Sequence, residues 1–145
     1  MSALKQGADI LLVEDNAGDV RLIRKAFDMR GSSNRISHVS DGGEALDYLY
    51  MRGEHGDAPR PDIILLDLNM PGIDGREVLA DIKSNPALSC IPVIVMTSST
   101  ATSDISESYR LHVNCYIKKP LQVLDFLTVV KAIDEFWIDT VCLPH

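Results

Sequence analysis

The sequence predicts an α/β fold: a parallel five-stranded sheet with helices on both faces. Three observations carry this. Short apolar runs of strand length alternate with longer segments whose apolar residues recur at helical spacing. The runs Ile10 to Val13, Ile63 to Leu66 and Val93 to Met96 are apolar at every position, as strands buried on both faces are. The chain has 145 residues, 46% of them hydrophobic, which suits one domain with a core of its own.

In order, Asp9 to Asp15 reads as the first strand, with its acids at the end. Val20, Ile23 and Phe27 mark the first helix, and Ile36 to Val39 a short second strand. Ala45, Leu46, Leu49 and Tyr50 return to helical spacing, and the polar stretch Arg52 to Pro61 is a loop. Ile63 to Leu66 is a central strand ending at Asp67. Val78, Leu79 and Ile82 mark a third helix. Pro92 to Met96 is the fourth strand, and Tyr116 and Ile117 belong to the fifth. Thr97 to Ser108 is rich in serine and threonine. Val123 to Trp137 reads as the longest helix. Right-handed crossovers leave few ways to connect such elements. The expected arrangement is a flavodoxin-like (βα)5 three-layer sandwich with strand order 2-1-3-4-5, spanning residues 1–145 as one domain.

The net charge of −7 disfavours contact with phosphate backbones or anionic lipid, so neither nucleic acid nor membrane is expected as a partner. Cys90, Cys115 and Cys142 are odd in number and lack CxxC spacing. This argues against a disulfide framework or zinc site and suits a reducing cytoplasm. Met1 to Ala8 lacks the apolar core of a signal peptide.

The chemistry gathers at strand C-termini, where open α/β sheets place their sites. Glu14 and Asp15 end the first strand, Asp67 the third and Thr97 the fourth, and Lys119 follows the fifth. The strand order brings them together. Three carboxylates in one cleft need a cation or a raised pKa. Hard oxygen donors in a partly open site suit Mg²⁺. With an ammonium and a hydroxyl beside it, such a cleft can stabilise a phosphoryl group in transfer, and a carboxylate can be its nucleophile. Each residue also has an ordinary use: Glu14 and Asp15 as helix caps, Thr97 as a turn residue, Lys119 as a solvated loop lysine. The combination is what points to function.

Leu11-Leu-Val-Glu-Asp-Asn16, Leu65-Leu-Asp-Leu-Asn-Met-Pro-Gly72 with Asp74-Gly75, Val95-Met-Thr-Ser98 and Tyr116-Ile-Lys-Lys-Pro120 resemble the signature segments of response-regulator receiver domains. The resemblance implies that Asp67 is the phosphoacceptor for a histidine kinase. It implies Mg²⁺ held by Asp15, Asp67 and the Asn69 main-chain carbonyl, with Glu14 contributing through water. Thr97 and Lys119 would hold phosphoryl oxygens, Thr97 and Tyr116 would form the switch, and the Lys119–Pro120 bond would be cis. Glu14-Asp-Asn-x-x-Asp-Val-Arg-Leu-Ile23, Asp57-Ala-Pro-Arg-Pro-Asp62, Asn114-Cys-Tyr116 and Phe136-Trp-x-x-x-Val-x-Leu-Pro144 are similar to the stand-alone regulators that partner phytochrome kinases in cyanobacteria. With no effector domain read in the sequence, output through contact with a downstream protein is expected.

Two other readings compete. A phosphohydrolase of the haloacid dehalogenase type needs a second Asp two residues after its nucleophile, where this chain has Asn69. A flavodoxin-type cofactor module needs a Ser/Thr/Gly-rich loop after the first strand, where Glu14-Asp-Asn16 would repel a phosphate. Onward transfer of the phosphoryl group along a relay remains compatible with the motifs. Finally, Leu127, Val130, Phe136, Trp137, Ile138 and Val141 form an apolar C-terminal region wider than one helix needs to cover a sheet. This predicts a homodimer interface.

Overall fold

The computed structural model describes residues 7–31, 33–98, 101–120 and 122–140, the last three by backbone alone. Five strands and five α-helices alternate: β1 (Asp9–Val13), α1 (Ala17–Met29), β2 (Arg35–Val39), α2 (Gly42–Leu49), β3 (Ile63–Leu66), α3 (Gly75–Ser84), β4 (Val93–Thr97), α4 (Thr102–Arg110), β5 (Cys115–Lys118) and α5 (Val123–Ile133). The sheet order is β2-β1-β3-β4-β5, parallel throughout. Among the described residues no helix is long and apolar enough to cross a membrane.

The unbroken apolar runs follow from burial on both faces. Successive side chains of a strand point to opposite sides. Leu11, Val13, Ile64, Leu66, Val93 and Val95 pack with Leu49, Leu79 and Ile82, under α2 and α3. Ile10, Leu12, Leu65, Ile94 and Met96 pack with Ile23, Phe27, Phe126 and Val130, under α1 and α5. Each fully buried Leu or Ile of β3 contributes about 2 kcal/mol of transfer free energy. The central strands therefore hold the acidic residues at their ends in fixed relative positions.

Val130 belongs to this core. It is 0% exposed, so its predicted place in a dimer interface is corrected: the α5 stripe that contains it covers the sheet. Leu127 and Trp137 are partly buried against the same cluster. Phe136 is 55% exposed and meets Trp137 edge to face. The side chain of Ile138, and Val141 entirely, lie outside the described residues.

The last helix also differs from the expectation in form. Its regular α-helical part ends at Ile133 and continues as a π-helical segment, Asp134–Thr140. Asp134, 3% exposed, begins that segment. Its carboxylate accepts from Arg30 Nε and Asn34 Nδ2, both at 3.1 Å. Asn34 Oδ1 in turn accepts from the Ala8 amide. A buried carboxylate is tolerated where such donors satisfy it. Here they tie the end of α5 to the base of β1.

Candidate functional site

The site forms where β1, β3, β4 and β5 end. Asp67 N–H donates to Val13 O and Lys119 N–H to Thr97 O, so the ladders run up to the residues that carry the chemistry. The caps of the following helices lie elsewhere. Asn16 caps α1, its side chain accepting from Asp19 N–H at 3.0 Å. This leaves the carboxylates of Glu14 and Asp15 to the cleft. The loop after Asp67 turns at Gly72, whose φ is +75°. It closes with Gly75 packed so tightly that a Cβ there would lie 2.3 Å from Asp67 O. Asp67 is thereby fixed from both sides.

One oxygen each from Glu14, Asp15 and Asp67 can be chosen so that all lie within 4.8 Å of one another. Glu14 and Asp67 are buried, at 2% and 5% exposure, while Asp15 is open to solvent. Lys119 is no solvated loop lysine. Its ammonium lies 2.6 Å from Glu14 Oε1, 3.0 Å from Asp19 Oδ2 and 3.1 Å from Asp67 Oδ2. The predicted cis bond before Pro120 is not found: the described residues contain no cis peptide. The long lysine stem reaches the carboxylates from a trans backbone whose amide completes the pairing of β4 with β5.

Thr97 is fully buried, and its hydroxyl accepts from Asn69 Nδ2 at 3.2 Å. Asn69 N–H donates to Asp67 Oδ1. The Asn69 side chain thus links the acceptor loop to the hydroxyl. Tyr116 is partly buried against the core under α2 and α3 and pairs with Val95, one strand across and two residues before Thr97. In the sequence Asp19 stands only within the Glu14–Ile23 resemblance, with no role attached to it. An acid in the first turn of a helix has a sufficient explanation in the helix dipole, which hid its contact with Lys119.

Burial raises the Glu14 carboxyl to about pH 7; the Asp67 charge adds to the rise, while hydrogen bonds from Lys119 and the Asn16 amide oppose it. Burial alone would lower Lys119, but hydrogen bonds to Glu14 and Asp19 and the charges of Glu14 and Asp67 hold it above its ordinary value. A carboxyl raised above its unfolded value near 4.5 contributes fully below that pH, and the contribution is lost as pH rises through 7. In metal-free protein, Glu14→Gln should therefore gain stability relative to wild type between pH 4.5 and 7, by on the order of 3 kcal/mol. Chemical denaturation across that range checks this. A difference that stays constant contradicts it.

The donor set fits a hard divalent cation. All candidate ligands are oxygens, two are buried and one faces water, and exposure at Asp15 leaves room for coordinated waters.

The family model for the response regulator receiver domain matches residues 10–131. The chain belongs to this family. As a receiver it is similar to response regulator Rcp1 of Synechocystis sp., 46% identical over 93% of this chain and 92% of the relative. It is similar to the phosphorylated cyanobacterial phytochrome response regulator RcpA, at 50% identity and a TM-score of 0.92, covering 96% of this chain and 99% of that one. The Mn²⁺-bound form of Rcp1 superposes with a TM-score of 0.91, at 45% identity, covering 95% of this chain and 99% of that one. Probable methanogenesis regulatory protein FilR2 of Methanothrix harundinacea is 45% identical over 89% of this receiver and 83% of its own length.

Proposed function

We propose that this receiver takes a phosphoryl group from a histidine kinase onto Asp67, with Mg²⁺ held by Asp15, Asp67 and the Asn69 main-chain carbonyl and with Glu14 acting through water. The observation that carries the reading is the meeting of Glu14, Asp15, Asp67 and Lys119 in one cleft beside the buried Thr97. In transfer, an Asp67 oxygen attacks phosphorus and the P–N bond to the donor imidazole breaks. The bonding pair stays on the imidazole, and an aspartyl-phosphate results. A divalent cation in the site would screen the negative charge that carboxylate and phosphoryl bring together. Lys119 turns its ammonium from Asp67 to the phosphoryl oxygens. The Thr97 hydroxyl, released by Asn69, donates to another, and Tyr116 follows it inward. Asn69 stands where a phosphohydrolase would need its acid–base Asp.

The kinase is of phytochrome type in this reading, supported by the likeness to RcpA and Rcp1. The nearly equal likeness to FilR2 makes the donor class worth testing directly. Phosphotransfer from a panel of histidine kinases, a phytochrome kinase among them, should be fastest from the phytochrome type and stop on chelation. Transfer from other kinases but none from a phytochrome type contradicts the donor class. Transfer from no kinase contradicts the function. A cytoplasmic site of action goes with this reading.

The homodimer is a second part of it. The exposed apolar side chains of the C-terminal region include Val123, Leu124 and Phe136; Phe136 stays an interface candidate, and Val123 and Leu124 take the place of Val130. Wild-type protein should sediment as a dimer at micromolar concentration, and Leu124→Asp with Phe136→Asp should give a folded monomer. A monomeric wild type defeats the dimer.

A further inference from the structure

The first turn of α3 and the first turn of α4 are joined by a charge pair that the site chemistry does not use. Arg76 Nη2 lies 2.5 Å from Asp104 Oδ1, and Arg76 Nη1 lies 3.2 Å from Asp74 Oδ2. Asp74 is also the N-cap of α3, its other oxygen accepting from the Arg76 amide. The guanidinium is thus held on one side by the residue that starts α3 and aimed on the other at α4. Its side chain and that of Asp104 are each only 21% exposed, so water screens the pair less than a surface pair.

At one end of this link is the acceptor. Gly75 donates to Leu68 O and rests against Asp67 O, so α3 begins on the backbone of Asp67. At the other end is the least anchored helix of the fold. Among the described residues Ser108 is its one buried residue, and its N-cap position is Ala101, whose methyl side chain cannot accept a capping hydrogen bond. A helix with so little apolar burial has low local stability. One ion pair is then a large share of what fixes it in place.

We propose that Arg76–Asp104 is a clasp through which the acceptor loop and α4 restrain each other. With the clasp closed, α4 is held against α3. When it opens, α4 is released and the site accepts a phosphoryl group more readily. This rests on the reading of Asp67 as the acceptor. By reciprocity, a phosphoryl group on Asp67 would then loosen α4 by the same factor by which loosening α4 favours the phosphoryl group.

The test uses the full chain with Arg76→Gln, Asp104→Asn, the double variant and Arg76→Lys. Arg76→Gln keeps the amide that Asp74 caps, so protection in α3 serves as the control for folding. Amide exchange in residues 104–110 should quicken about fivefold in each single glutamine or asparagine variant, the size expected of one such pair. The double variant should be no faster than either single, and Arg76→Lys should lie between. Affinity for beryllium fluoride with Mg²⁺, a phosphoryl mimic, should rise by a similar factor in the same variants. Unchanged exchange, or effects that multiply in the double variant, overturns the clasp. Faster exchange with unchanged mimic affinity overturns the coupling. Wild-type protein that binds no mimic contradicts the reading of Asp67, while the exchange measurement still decides the clasp.

Discussion

Replacing Lys119 by methionine is expected to cost the metal-free protein about 3 kcal/mol at neutral pH, because it leaves buried carboxylates without their cation. Glu14 and Asp67 are both nearly inaccessible. Their ammonium partner is within 3.1 Å of each. Adding Mg²⁺ should recover part of the loss, because it supplies a replacement charge and stabilises by mass action. The same variant should accept a phosphoryl group about 100-fold more slowly, since a preorganised cation at the developing charge is lost. Thermal and chemical denaturation with and without Mg²⁺ check the first claim. Full stability of the metal-free variant at neutral pH contradicts it.

Asp15→Ala is expected to weaken divalent cation binding by at least about tenfold, since losing even an outer partner of a metal ligand costs that much. Asp15 is the exposed member of the acidic group, so its removal leaves the core intact. Stability in the absence of metal should hold or rise, because a negative charge leaves a crowded cleft. Titration of Mg²⁺ or Mn²⁺ against the variant measures it. An unchanged affinity would place the cation elsewhere.

The central strands were legible because burial on both faces removes polar residues from them, and their ends were legible because acids there have few structural uses in combination. Glu14, Asp15, Asp67 and Lys119 lie together at the strand ends, and the Thr97 hydroxyl is linked to Asp67 through Asn69. Four features were not legible, each for a physical reason. Val130 reads as interface because an apolar stripe has the same spacing whether its own sheet or a second copy covers it; the sheet covers it here. Asp19 reads as a helix-start acid, and its contact with Lys119 depends on how far β5 carries the lysine. The Arg76–Asp104 pair joins elements that are separate in the sequence and carries no spacing signature. The change from α to π geometry at Asp134 likewise follows no local pattern; its partners Arg30 and Asn34 are far back in the chain.

The most direct test of the central claim is the site of the label. Wild-type protein incubated with Mg²⁺ and an activated small phosphodonor should gain one acid-labile phosphoryl group per chain, and peptide mapping should find it on Asp67. Asp67→Asn should gain none under the same conditions while keeping its fold. A variant that still takes up one acid-labile phosphoryl group, or a label in wild type that maps to another residue, contradicts the assignment.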